Sequence, residues 1–180
     1  MHPRMVELDE YLGQQRALLT AAVAQIAVSR HRDAPAAGRW SVVNVLEHLA
    51  IVERALAQRV GGWIDEARAA GLARETDDSP ILPTINVDRF IDRSRRVKTS
   101  AATEPTGTVS VEEAMRALSA ARAATREVLA SGSGYALARV SHDHGTFGPM
   151  HLYAWIAFIG GHECRHAMQV REIRVALARP

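Results

Sequence analysis

Two histidines four residues apart, with a glutamate directly after the first, are the residues of this chain best spaced to do chemistry. They lie in His162-Glu163-Cys164-Arg165-His166, a match to the H-E-x-x-H pattern of zinc metalloproteases. On a helix turning about 100° per residue, His162, His166 and Gln169 fall within about 60° of one another. Cys164 points nearly the opposite way and is expected to be a buried small apolar group. Glu163, about 100° around from His162, is expected to face a neighbouring helix or solvent. Phe158, Trp155 and His151 continue the histidine stripe backward, so this face is the one that enters the core. Buried imidazoles without partners cost about 1–3 kcal/mol each. A divalent metal satisfies both together.

A metal held by three protein ligands keeps a position open for water or substrate. The third ligand must come from another helix, because His151 is about 16 Å from His162 along the axis. His48 is the candidate, with Asn44 one turn before it and Ile51, Val52 and Ala55 read as continuing an inward stripe. Asn44 and Gln169, each about a turn from a ligand, either orient bound water or substrate or bridge helices. Arg165, at the edge of the stripe, faces an anionic substrate group or forms a surface salt bridge. His151 reads as a hydrogen-bonded histidine near a helix end. His142 and His144, in "SHDHGTFG", read as solvated loop residues, while His2 and His31 lie near a terminus and in a linker.

The protease reading fails on its own requirements. Glu172, the sole carboxylate after His166, lies six positions on and on the wrong side of the helix. The extended motif with a glycine and a third histidine is absent, and no strand pattern precedes the motif to hold an extended peptide.

These residues are carried by four predicted helices. The first covers residues 5 to 28, and the second begins after Ser41, with Trp40 placed as a hydrophobic staple and Gly71 as its last stop. Residues 72 to 107 are the least regular part, around a short candidate helix "VDRFIDRSRRV". Its Arg89, Arg93, Arg95, Arg96 and Lys98, interleaved with Asp88 and Asp92, read as a solvated face. Ser110 and Glu113 form a capping box for the third helix, which "SGSG" closes. Pro149 is placed as the first residue of a fourth helix running to about Leu177. With essentially no strand signal, the expected fold is an all-α, single-domain four-helix bundle over residues 1–180 with a long connection between helices two and three.

"WSVVNVLEHLAIVERAL" at 40 to 56 and "FGPMHLYAWIAFIGGHECRHAMQVREIR" at 147 to 174 resemble the two signature regions of the DinB-like superfamily of metal-binding four-helix bundles. Family members open the second helix with a tryptophan and a small capping residue, and that helix carries one histidine followed by leucine. The last helix carries His-x-x-x-His with a glutamine three residues later. His48, His162, His166 and Gln169 fill those positions here. The resemblance implies a divalent metal held by the three histidines, often in a homodimer, and a pocket on the free face of the metal. Members of known activity use the metal to activate a low-molecular-weight thiol for transfer or isomerisation.

The expected activity is therefore metal-dependent, of the thiol S-transferase type or a hydrolysis, with Zn²⁺, Ni²⁺, Fe²⁺ or Mn²⁺ all suited to imidazole ligands. The rival from another class is a non-catalytic metal- or ligand-binding bundle linked to stress. A net charge of +2 gives no argument for a nucleic-acid partner. The most apolar run, residues 150 to 161, is too short for a bilayer that needs about 20 residues. The start "MHPRMVELDEY" has no apolar core of a secretory signal, and a single cysteine fits a reducing compartment, so a cytoplasmic location is expected.

Overall fold

Each apolar-striped segment becomes a long helix in the computed structural model, which describes residues 1–94 and 100–178. Helix α1 spans Pro3–Ala24, α2 Val42–Ala69, α4 Val111–Gly132 and α5 Leu152–Leu177. A short α-helical turn, α3 (Asp88–Ile91), lies in the connection between α2 and α4, flanked by 3-10 turns at Leu82–Thr84 and Ala101–Thr103. The architecture is a helical bundle in which α1 packs on α5 and α2 on both α4 and α5.

Local chemistry sets the helix starts. Ser41 caps α2, its hydroxyl accepting from the Asn44 amide while Asn44 Oδ1 accepts from the Ser41 amide at 3.0 Å. Ser110 and Glu113 exchange the same pair of bonds at the start of α4. Such caps satisfy N–H groups that the first turn leaves without helical partners, each contributing about 1 kcal/mol. Trp40 packs against the apolar cluster that includes Val45, as the staple reading requires.

Helix α5 is the centre of the molecule, buried on every side from Leu152 to Gly161. Gly160 makes this possible: a Cβ there would lie 2.4 Å from the Tyr11 ring, so only glycine lets α1 approach this closely. Two apolar clusters fill the bundle, one around Met5, Leu12, Val60 and Leu152–Ile159, the other around Leu19, Val42, Leu46 and Val170.

Three expectations are corrected. Residues 141–151 hold an antiparallel hairpin, β1 (Ser141–His144) and β2 (Gly148–His151), with His142 opposite Met150. Its three-residue loop, 145–147, is followed by Gly148, whose φ of 69° is the left-handed conformation such hairpins need. Pro149 therefore sits in β2, and α5 starts three residues later, capped by His151, whose Nδ1 accepts from the Ala154 amide at 3.1 Å. The "VDRFIDRSRRV" helix is confined to Asp88–Ile91; Arg95, Arg96 and Lys98 lie outside the described residues. Among the described residues no helix is long and apolar enough to cross a membrane.

Candidate metal centre

His48 on α2 and His162 and His166 on α5 turn their Nε2 atoms to one point. The Nε2 of His162 is 3.3 Å from that of His48 and 3.1 Å from that of His166. Carbonyl oxygens fix two of the rings. His48 Nδ1 lies 2.8 Å from the Thr103 carbonyl, and His166 Nδ1 lies 2.8 Å from Gln169 Oε1. Both oxygens only accept, so both Nδ1 atoms donate, and both Nε2 atoms carry lone pairs directed at the centre. His162 Nε2 can give a proton to one of them at most, which leaves the other lone pair without a donor; without that proton, lone pair faces lone pair at both contacts. A cation resolves the conflict for all three. Tetrahedral zinc–nitrogen bonds of about 2.0–2.1 Å place neighbouring ligand atoms about 3.3–3.4 Å apart, close to the two spacings that His162 makes, and all three ligand atoms lie within 4.8 Å of one another. The donor set therefore fits a divalent metal.

The surroundings keep the rings neutral, the form that binds metal. Burial pushes His162 well below the ordinary imidazole value, and charge on His166 and His48 opposes its protonation further. Burial first, and His48 next, lower His166 to about 3. Burial also lowers His48, partly offset by its bond to Thr103. Trp40 closes one side, its ring 4.8 Å from that of His48 and stacked 6.1 Å from that of His166. His48 and His166 are buried, while His162, beside Phe158, is half-buried. His48 reaches the cluster from a stripe less inward than expected: Ile51 and Val52 are half-buried and Ala55 is exposed.

Glu163 turns away from the cluster into the bundle, only 1% exposed. Its carboxylate accepts from Arg122 Nη2 at 2.8 Å and pairs with Arg16. The same two arginines bind Glu53, Arg122 at 2.6 Å and Arg16 at 2.9 Å, and Thr125 donates to Glu53 at 3.1 Å. One residue from each of α1, α2, α4 and α5 thus builds a buried layer of alternating charge between the two apolar clusters. A carboxylate committed to two guanidinium groups is not a general base for a metal site, which removes the protease reading on structural grounds.

The remaining candidates are placed as follows. Gln169 orients His166, an outer-shell role that fixes ring and tautomer. Asn44 spends its Oδ1 on the helix cap. Half-buried Arg165 shares its surroundings with Arg93, Asp92 and Glu172, and Arg93 pairs with Glu172 at 2.6 Å. Cys164 is buried, as expected.

His142 and His144 lie outside the cluster but are not solvated loop residues. The His142 ring stacks on Trp63 at 3.9 Å, and His144 packs against Phe147, Trp155 and Phe158. His144 is also near enough for its charge to oppose protonation of His162. The sequence signal for this wall was "HDHGTFG", a glycine-bearing turn between two short extended pieces.

A helical bundle in which two helices bring three imidazoles to one point belongs to the class of bundles that can hold a metal in their core. This chain belongs to the DinB superfamily, whose family model matches residues 11–170 and so spans all three histidines. It is also similar to the uncharacterized protein YuaE of Bacillus subtilis (strain 168), 27% identical over 146 residues, covering 81% of this chain and 83% of the relative. No solved structure matches the chain.

Proposed function

We propose that this protein is a metal-dependent enzyme in which His48, His162 and His166 hold a divalent ion and a low-molecular-weight thiol, or water, is the group activated. The observation that carries the reading is the convergence of the Nε2 atoms with two tautomers fixed by Thr103 and Gln169. A cation bound there supplies a Lewis acid that favours the deprotonated form of a thiol or water near neutral pH. Three neutral imidazoles suit Zn²⁺, Ni²⁺, Fe²⁺ or Mn²⁺. Trp40 excludes water behind His48 and His166. The half-buried edge of His162, with Phe158 beside it, leaves the approach for a small-molecule substrate. Among the described residues no carboxylate joins the three histidines in the cluster, which favours a reaction where the thiolate is itself the nucleophile, as in S-transfer, over one that needs a general base. A homodimer and a cytoplasmic location complete the proposal.

Metal analysis of the purified protein beside His48→Ala tests the site. Near-stoichiometric metal in the parent and a sharp fall in the variant are expected; unchanged metal in His48→Ala sinks the three-histidine site. Thiol consumption with a panel of electrophiles, with and without metal, tests the activity. Metal binding without metal-dependent turnover of any thiol or ester replaces the enzyme with a non-catalytic metal-binding bundle.

A further inference from the structure

Away from the histidine cluster, a cavity of about 260 Å³ opens between the α2–α4 connection and the start of α5, lined by Thr84, Ile85, Asn86, Arg89, Met150 and His151 among others. Its polar groups share one character. His151 Nδ1 accepts the Ala154 amide proton, so in the neutral ring the proton sits on Nε2, which donates in either protonation state. Asn86 Oδ1 accepts from the Arg89 amide at 3.3 Å, which leaves its NH₂ to donate. Arg89 brings a guanidinium, which has donors and no acceptor. Thr84 gives its hydroxyl proton to the Ile81 carbonyl at 2.7 Å and adds no charge.

Arg89 is held without an acidic partner. Its guanidinium lies 4.9 Å from the Phe90 ring centroid and 5.6 Å from that of Phe147. Nη1 makes a long 3.4 Å bond to the Phe147 carbonyl, and Nε is enclosed with no hydrogen-bond partner. Among the described residues no carboxylate lies within ion-pair distance of Arg89, whereas Arg4, Arg16, Arg93 and Arg122 each pair with one. No acidic residue lines the cavity. The positive end of a 26-residue helix, α5, adds to the same field.

We propose that this cavity is a binding site for a small oxyanion, a carboxylate or phosphate group, held by Arg89 with Asn86 and His151 as further donors. A planar guanidinium is suited to such groups through two parallel hydrogen bonds. The volume takes the anion with several waters, each of which occupies about 30 Å³. The site is separate from the metal centre: Ala154, on its wall, is about 12 Å along α5 from His162. It stands whether or not the protein is an enzyme.

The test uses inorganic phosphate and acetate as probes at constant ionic strength, with calorimetry for affinity and the His151 ring resonances as a local reporter. One saturable event that moves the His151 signals is expected, and which probe binds tighter distinguishes phosphate from carboxylate. Arg89→Gln should weaken it at least about tenfold, the loss of one charged hydrogen-bonding partner. His151→Asn, which keeps a side chain able to cap α5, should weaken it less, and His48→Ala should leave it unchanged. Unfolding curves for each variant separate lost binding from lost fold. Absence of saturable binding by both probes overturns the site. So does binding that survives in folded Arg89→Gln, or that disappears in His48→Ala, which would place the anion on the metal.

Discussion

Glu163→Gln separates the two roles that a glutamate between metal-ligand histidines can have. In this structure the carboxylate is 1% exposed and shared by Arg122 and Arg16, with Glu53 the other acid bound by the same two arginines. Removing its charge while keeping its shape leaves two guanidinium groups, Arg122 buried and Arg16 half-buried, on one buried carboxylate. Breaking a buried ion pair from one side costs about 3–5 kcal/mol, and a glutamine that retains one acceptor falls near the lower figure, about 3 kcal/mol. For a chain of this length each kcal/mol moves Tm by about 2–4 °C, so a fall of about 6–12 °C is expected. Metal content at saturating metal should stay at the parent level, because the carboxylate faces away from the three histidines. A cycle with Arg122→Gln should show a coupling of about 1 kcal/mol or more. Thermal unfolding and metal analysis on the same samples decide it. If Tm is unchanged and metal is lost, Glu163 serves the metal and the charge layer is not its partner.

Other outcomes follow from the same geometry. Gln169→Leu removes the acceptor that holds His166 and should weaken metal binding about 10–100-fold, measured by competition with a chelator; an unchanged affinity would mean the ring is held by packing alone. The metal-free protein should lose stability in acid: His166 falls to about 3 in the fold, so the unfolded chain binds more protons below its ordinary value of about 6.5. Stability is thus full above that value and declines as pH falls, by about 3 kcal/mol at pH 4.5 from this residue, which denaturant titrations across pH will read. Gly160→Ala should destabilise by about 1–3 kcal/mol, since the new methyl meets the Tyr11 ring at 2.4 Å. Gly62→Ala, in exposed α2 with nothing within 4 Å, should instead stabilise by about 0.5–1 kcal/mol; melts of the pair test the packing of α1 on α5.

The histidine pair was legible in the sequence because the helical turn is fixed by covalent geometry. Four residues return to the same face whatever surrounds them, so His162 and His166 had to meet. His48 needed a tertiary guess, and its partner was beyond any side-chain pattern, since the Thr103 carbonyl is a backbone group delivered by an irregular connection. The hairpin was missed for a related reason: "SHDH" and "GPMH" lack the apolar alternation that marks a half-buried strand, and His142 and His144 gain burial from outside the strands, His142 by stacking on Trp63 and His144 by packing against Trp155.

The charge layer shows where stripe reading can be extended. Arg16 lies between Leu12 and Leu19, Glu53 between Leu49 and Leu56, Arg122 between Leu118 and Leu129, and Glu163 between Ile159 and Ala167. Each charge interrupts an apolar stripe at helical spacing, and taken singly each reads as a stripe edge that snorkels to solvent. Together they are two positive and two negative groups, one per long helix, and desolvation forbids burying any of them without an opposite charge. Balanced charges on the inward faces of four helices therefore call for one shared layer. The same balance assigns Glu163 to arginines on the neighbouring helices α1 and α4, the first of the two surroundings expected for it, and not to solvent.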